Sequence, residues 1–323
     1  MKKLNWVCIG CGHIANEMAQ AFEQKGRMFY AVYSRTKGNT EAFAKRYGIE
    51  MVYGSADEVF SDENVDIVYL ATPHNRHAEH IIKAAESGKH VLCEKAITLN
   101  SDELNAAINA CEENGVILAE AMTIYHMPVY DKVYNYINNN TLGRLKLIEV
   151  NLGSSKVYDM TNRFFNPELA GGAMLDIGVY ALSFVRRFME LEGAKIKSFV
   201  KLAPTGVDEQ EFMIIENKNG EAASVTLSLT AKLPKTGLVS FENGYVEFEG
   251  YNRSHRATIY LNDGSEPIVL KSEPDISPLA YEIDDMETAV AGGENKMHLD
   301  LTSDVMAVMT KMRNEWGVKY PEE

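Results

Sequence analysis

Apolar residues follow two alternating rhythms over the first third of the chain. Compact apolar runs fall at Trp6–Ile9, Met28–Tyr33, Val65–Ala71, His90–Cys93 and Val116–Ala119. Between them, stretches with three-to-four spacing fall at Ile14–Lys25, Thr40–Tyr47, Ala78–Ser87 and Ser101–Asn114. Short apolar strands alternating with helices predict βαβ units around a parallel sheet buried on both faces. Ser101 ahead of Glu103 reads as an N-cap region, and Gly88 and Gly115 stand where a glycine closes a helix.

After about Ala121 the texture changes. One helical stretch is expected at Val129–Asn138. Strand-like segments are expected at Leu145–Ser154, Ile196–Leu202, Glu211–Glu216, Ala222–Leu229, Val246–Glu249, Thr258–Leu261 and Ile268–Lys271. Asn219-Gly220, Asn243-Gly244 and Asp263-Gly264 supply the turns. A helix at Met174–Met189 interrupts this series, and helices at Ala280–Val290 and Thr302–Trp316 close it. The pattern predicts an α/β chain: a doubly wound parallel sheet over residues 1–122, then an α+β domain over 123–323 with a large, mostly antiparallel open sheet. No internal repeat is visible.

Composition narrows the function. The 323 residues carry 32 Lys plus Arg and 46 Asp plus Glu, a formal net charge of −14. Such a surface repels phosphate backbones, so nucleic acid and anionic membranes are not expected partners. No apolar run is expected to reach the ~20 residues of a membrane span. Met1-Lys2-Lys3 resembles a signal n-region, but the apolar run that follows is too short for a signal core, and a cytoplasmic location is expected. Four cysteines in a chain this long do not form a disulfide framework. Cys8 and Cys11 form a C-x-x-C, but Cys8 lies in a strand run and no second Cys or His pair stands nearby, so buried packing is favoured over redox or zinc chemistry.

The chemistry begins at Gly10-Cys11-Gly12-His13-Ile14-Ala15, a G-x-G-x-x-A between the first strand and first helix. Gly10 permits the tight turn, Gly12 a close phosphate approach, and Ala15 close helix–strand packing. The helix start then turns its N–H groups toward a diphosphate. At the end of the second strand, Tyr33-Ser34-Arg35-Thr36-Lys37 holds no carboxylate to bind a ribose 2′-hydroxyl. Ser34 and Thr36 offer hydroxyls, and Arg35 offers a fork for a 2′-phosphate. NADP(H) is therefore expected in preference to NAD(H).

Two further strand ends look functional, because ligands of open parallel sheets bind beyond them. One is Ala71-Thr72-Pro73-His74-Asn75-Arg76-His77; the other is Cys93-Glu94-Lys95-Ala96. A lysine at the second would stabilise an alkoxide; a solvated Lys beside a capping Glu fits the same spacing. His74, His77 and His80 recur every third residue, but no carboxylate pattern completes a metal motif, and no metal is expected. In the second half, Asp176 and Tyr180 of Gly171-Gly172-Ala173-Met174-Leu175-Asp176-Ile177-Gly178-Val179-Tyr180 stand one helical turn apart. A cation such as Lys95 would lower a phenol's pKa toward a useful range. A structural Tyr–Asp pair fits as well.

These motifs, with Glu120-Ala121-Met122, occur in order and together resemble the glucose–fructose oxidoreductase, inositol dehydrogenase and rhizopine catabolism (Gfo/Idh/MocA) family. Tyr180 is similar to the branch of dimeric dihydrodiol dehydrogenases and NADP-dependent D-xylose dehydrogenases; many other members carry His there. The resemblance implies an NAD(P)-dependent dehydrogenase or reductase acting on CH–OH groups of a small sugar-like or carbonyl substrate, assembled as a homodimer or homotetramer. It implies that Lys95 and Tyr180 handle the proton and that Asp176 binds or orients a substrate hydroxyl. It implies cofactor contacts from the glycine loop (Gly10, Cys11, Gly12, His13, Ile14), from Ser34, Arg35 and Thr36, from Ala71, Thr72, Pro73, His74 and His77, and from Glu94 and Lys95. Arg163 and Tyr281 are further candidates. The family also contains glycosidases with tightly held NAD and dinucleotide-sensing regulators, which stand as alternatives. Where the family places proline after Glu-Lys, this chain has Ala96, so a less rigid turn is expected. Thr123-Ile124-Tyr125-His126 departs from the family's aromatic stretch, which leaves substrate preference open.

Overall fold

The computed structural model describes residues 3–139 and 141–323; Met1 and Lys2 of the signal-like start lie outside them. In chain order the elements begin with β1 (Trp6–Ile9), α1 (His13–Gln24), β2 (Ala31–Tyr33), α2 (Lys37–Tyr47), β3 (Met51–Val52), α3 (Ala56–Ser61), β4 (Ile67–Leu70), α4 (His77–Glu86), β5 (His90–Glu94), α5 (Ser101–Glu113), β6 (Leu118–Ala121) and α6 (Pro128–Ile137). There follow β7 (Leu145–Gly153), α7 (Val179–Phe188), β8 (Lys195–Leu202), β9 (Asp208–Glu216), β10 (Ala222–Ser228), β11 (Thr236–Phe241), β12 (Gly244–Glu249), β13 (Arg256–Leu261), β14 (Ile268–Lys271), α8 (Pro278–Val290) and α9 (Leu299–Trp316).

The chain forms two compact units. The first is Met1–His126 with Asp275–Leu299; the second is Met127–Pro274 with Asp300–Glu323. The division expected at residue 122 therefore shifts to His126, and α8 returns to the first unit. The reason is packing: Leu279, Ala280, Ile283, Met286 and Ala289 of α8 join the buried cluster formed by Trp6, Phe22, Phe29 and Tyr69. Trp6 Nε1 donates to Glu287 of α8 at 2.8 Å, and Arg27 reaches the same carboxylate at 2.6 Å.

The first unit's sheet is parallel throughout, in the order β3-β2-β1-β4-β5-β6. Strands β1 and β4 are buried at every position, as a sheet covered on both faces requires. The reversal of strand order beside β1 places the ends of β1 and β4 at the switch point where such sheets bind ligands. Helix α5 is capped by Asn100, whose side chain accepts from Glu103 N, rather than by Ser101. Gly88 and Gly115 do close their helices, at φ +71° and +63°.

The second unit is built on an eight-stranded sheet ordered β14-β13-β12-β11-β7-β10-β9-β8. Its strands pair antiparallel except β7 with β10. Met213 and Ile215 of β9 and Val225 and Leu227 of β10 point into the core, whereas Phe199, Phe212 and Ile214 lie exposed on the other face. The segment Pro167–Phe188 is long and apolar enough to span a membrane, contrary to the sequence expectation. Since 83% of its apolar window is buried, it is the core segment of this unit.

Candidate active site

The glycine loop is shaped by collisions that only glycine avoids. Gly10 sits at φ +109°, and a Cβ there would drive into the Ala71 carbonyl, 2.7 Å from its carbon. Gly10 N donates to Tyr33 O and Ala71 N to Ile9 O, both at 2.8 Å, so the ends of β1, β2 and β4 are knitted together. Gly12 is the opposite case: its φ of −77° suits any residue, and a Cβ there would meet nothing within 4 Å. Gly12 N-caps α1 with no side-chain cap, and the first turn holds no acidic residue. The helix start thus presents orphan N–H groups and positive partial charge to an open space, which suits a diphosphate. Ala15 is fully buried against the core, as the fingerprint requires.

Around this loop, Cys11 is half-buried beside Ser34 and Thr40, and burial pushes its thiol up; Cys8 is buried and pushed up further. Raised thiols are poor nucleophiles, so the C-x-x-C serves packing. His13 is exposed and pairs with Glu17 at 3.0 Å; Ile14 is half-buried. Ser34 Oγ lies 2.8 Å from Thr40 Oγ1 in a small hydroxyl network. Arg35 and Thr36 are exposed, and among the described residues Arg35 pairs with no carboxylate. A dinucleotide fits this cradle. Thr72 Oγ1, at the end of β4, is buried with no hydrogen-bond partner among the described residues, a polar atom that a ligand would satisfy.

The lysine turn is braced from two sides. His77 is completely buried at the start of α4; its Nε2 lies 2.9 Å from Thr72 O and its Nδ1 3.0 Å from Ala96 O. Burial pushes His77 down to about 4 against the pull of those carbonyls. The ring joins the loop after β4 to the loop after β5, beside the strand ends where a cofactor contact is expected. Glu120, 1% exposed on β6, accepts Ile97 N at 3.1 Å. These bonds anchor Ala96 and Ile97, in the turn that is expected to be less rigid for lack of proline. Glu94 is buried and accepts from Tyr69 Oη at 2.5 Å; Lys95 is half-buried. His74 opens the 3₁₀ turn His74–Arg76, its ring 5.7 Å from that of His77. Tyr281 lies half-buried on α8 of this unit.

In the second unit, Asp176 lies inside a π-turn, Met174–Gly178, that runs directly into α7. Tyr180 sits in the first turn of α7. The one-turn spacing read from sequence thus crosses from a π-turn to an α-helix, an irregularity common at functional sites. Gly178 lets the segment press on β10: a Cβ there would stand 3.0 Å from Leu227 and 2.8 Å from the Met174 sulfur. Arg163 is brought to Asp176, with 3.5 Å between guanidinium and carboxylate, and stacks over Phe164 at 4.0 Å.

The profile described as "Oxidoreductase family, NAD-binding Rossmann fold" matches residues 4–122, and the "GFO/IDH/MocA C-terminal domain" matches residues 130–265. The chain belongs to the Gfo/Idh/MocA family. Trans-1,2-dihydrobenzene-1,2-diol dehydrogenase of Xenopus laevis is 26% identical, across 98% of this chain and 99% of that protein. The mouse enzyme of the same name is 28% identical over 76% of this chain and 74% of its own length. Among solved structures, KijD10, a 3-ketoreductase from Actinomadura kijaniata in complex with NADP and TDP-benzene, superposes with a TM-score of 0.86 at 19% identity, covering 97% of this chain and 98% of that one. Aldose-aldose oxidoreductase from Caulobacter crescentus, with glycerol, gives 0.85 at 22%, covering 97% of each chain. This Gfo/Idh/MocA chain is an NAD(P)-binding oxidoreductase, and its relatives are dehydrogenases and ketoreductases. His77 and Glu120, noted in the sequence only as members of their motifs, act here as supports of the lysine turn.

Proposed function

We propose that this chain is an NADP(H)-dependent dehydrogenase or reductase. It would interconvert a secondary alcohol and a ketone, or a sugar hemiacetal and a lactone, on a small polyhydroxylated substrate. The observation that carries the cofactor choice is Arg35: exposed, unpaired among the described residues and next to no carboxylate at the end of β2. A guanidinium favours a 2′-phosphate, which an acidic residue would repel. The solved relative bound to NADP and the dihydrodiol dehydrogenases support the reading.

The bound nicotinamide would exchange a hydride equivalent with the substrate carbon. The chain's own residues do the rest. The orphan N–H groups of α1 hold the diphosphate, and Thr72 Oγ1 supplies a hydrogen bond. The Lys95 ammonium stabilises the developing alkoxide, Tyr180 passes the hydroxyl proton, and Asp176 orients a substrate hydroxyl with its charge balanced by Arg163. Three free cysteines buried as thiols (Cys8, Cys93, Cys111) support a cytoplasmic setting. The exposed pair Phe199 and Phe212, directly opposite each other on β8 and β9, supports a homodimer through this sheet face; light scattering of the native protein measures it.

The test is a fluorescence titration with NADPH and NADH, followed by a turnover screen over aldoses, inositols, dihydrodiols and small dicarbonyls. Arg35→Ala should weaken NADPH about tenfold to a hundredfold and leave NADH unchanged. Lys95→Ala and Tyr180→Phe should lose turnover even at saturating NADPH. Wild-type turnover in both would refute the proton roles; equal NADPH and NADH affinity in wild type would refute the cofactor assignment.

A further inference from the structure

Strand β9 begins with Asp208-Glu209-Gln210-Glu211, and three of these four side chains are buried to 0% exposure. Glu209 is explained by its partners: Lys201 Nζ at 2.6 Å and Tyr158 Oη at 2.7 Å. Asp208 has a different environment. Its Oδ2 accepts the backbone N–H of Met174, the first residue of the π-turn, at 2.6 Å. Its Oδ1 lies 2.5 Å from where a Cβ of Gly172 would stand, and Gly172 has φ +126°. Glycine at 172 is therefore required twice, by conformation and by the space Asp208 fills.

The turn ahead of the π-turn is held again at the next residue. Tyr320 Oη donates to Gly171 O at 2.7 Å, and Tyr320 is itself covered by the Arg313 guanidinium, 4.6 Å from its ring. Arg313 is fixed by a bidentate pair with Glu323 at 2.7 and 3.0 Å. Gly171 packs so tightly on Arg163 and Phe164 that a Cβ would lie 2.7 Å from the Arg163 carbonyl.

We propose that Asp208 is a positioning residue of the site: its buried carboxylate, with Tyr320 acting through Gly171, clamps the entry to the π-turn that carries Asp176 and leads to Tyr180. The catalytic meaning of the clamp rests on the dehydrogenase reading above; the clamp itself does not. Besides the Met174 N–H that it accepts, the Asp208 carboxylate interacts electrostatically with the Arg313 cation, the Tyr320 phenol and the Glu211 carboxyl. Burial and the Asp208 charge push Glu211 well above the usual carboxylate range. A shift in that direction favours the protonated Glu211 carboxyl, which avoids burying two like charges side by side.

The experiment uses the full chain and three variants, read by NADPH fluorescence, by kcat and KM on a substrate found in the screen, and by amide hydrogen exchange. Asp208→Asn should lower kcat about tenfold to a hundredfold through misplacement of the turn, leave NADPH affinity within about twofold, and speed exchange selectively at residues 173–178. Tyr320→Phe keeps the ring that fills the core, so it folds; it should lower kcat about threefold to tenfold and speed exchange in the same segment. Glu211→Gln keeps the shape of an uncharged carboxyl and should behave as wild type. Unchanged exchange at 173–178 in both Asp208→Asn and Tyr320→Phe would overturn the proposal. So would exchange that rises evenly over the whole second unit together with lost NADPH binding, which marks general destabilisation. If the wild type turns over nothing in the screen, the dehydrogenase reading fails, while the exchange pattern still decides the clamp.

Discussion

Gly10 and Gly12 stand two residues apart in one loop, yet alanine should fail at them for different reasons. At Gly10 the new methyl would meet the Ala71 carbonyl carbon at 2.7 Å, and the backbone sits at φ +109°. Neither atom belongs to a flexible side chain, so β1 and β4 must part at their ends. Left-handed backbone costs about 1–2 kcal/mol for a residue with a Cβ, and forced overpacking adds about 1–3 kcal/mol. The sum, about 2–5 kcal/mol, is a large fraction of a domain's stability. At Gly12 nothing lies within 4 Å and φ is −77°. Alanine caps a helix slightly worse than glycine there, but it narrows the unfolded ensemble by about 0.4–1 kcal/mol, so the two nearly cancel. A methyl at Gly12 would, however, hold a diphosphate off the first N–H groups of α1. A hydrogen bond to a charged group contributes about 1.5–3 kcal/mol, so NADPH affinity should fall about tenfold to a hundredfold. Thermal unfolding and NADPH titration on both variants separate the cases. Gly12→Ala should melt like wild type and bind poorly; Gly10→Ala should melt low and bind poorly. Wild-type NADPH affinity in a fully folded Gly12→Ala would refute the phosphate cradle.

Glu120→Ala strips the acceptor from Ile97 N–H in a buried setting, a cost of about 1–3 kcal/mol, and should cut turnover by displacing Lys95; Glu120→Gln keeps an oxygen for that bond and should retain most of it, so equal losses in the two variants would count against the brace. His77 is held neutral in the fold, down at about 4 from an ordinary 6.5, so the unfolded chain binds the extra proton between those values. Stability should thus fall as pH drops from about 6.5 toward 4, by at most about 3 kcal/mol from this group. Melting curves across that window should be flatter for His77→Gln than for wild type, although His80 and His90, also pushed down by burial, leave a residual slope in both.

The fold was legible in the sequence wherever apolar periodicity ran unbroken, and it was hidden where glycine or brevity broke the period. Strand β11 was missed because Gly237 sits inside it. A Cβ there would come within 2.5 Å of the Phe184 ring, so the glycine marks close packing of a helix residue on the strand, not a turn. Strand β3, Met51-Val52, is two residues long, too short for any periodicity to announce it. The Met28 end of the second apolar run is not strand at all, and Met28 is 51% exposed. Helix α8 was seen, but not its return to the first unit, because chain order carries no information about which core a late apolar face joins. The site divides in the same way. The glycine loop follows local geometry and was readable. Of the supporting acids, Glu94 and Glu120 were visible only through the motifs that contain them, and Asp208 and Glu211 were not visible, because such residues look solvated when counted as charges. Their burial was nonetheless partly encoded. Glu211 continues the inward parity set by Met213 and Ile215 in β9, while Phe212 and Ile214 take the outward positions. A strand that points its phenylalanine to the surface and its glutamate to the core gives up transfer free energy at both places. Such a trade survives only where the buried acid holds something and the exposed aromatic meets something. In this chain the inward acid faces the clamp on the π-turn, and the outward aromatics mark the sheet face proposed for the dimer.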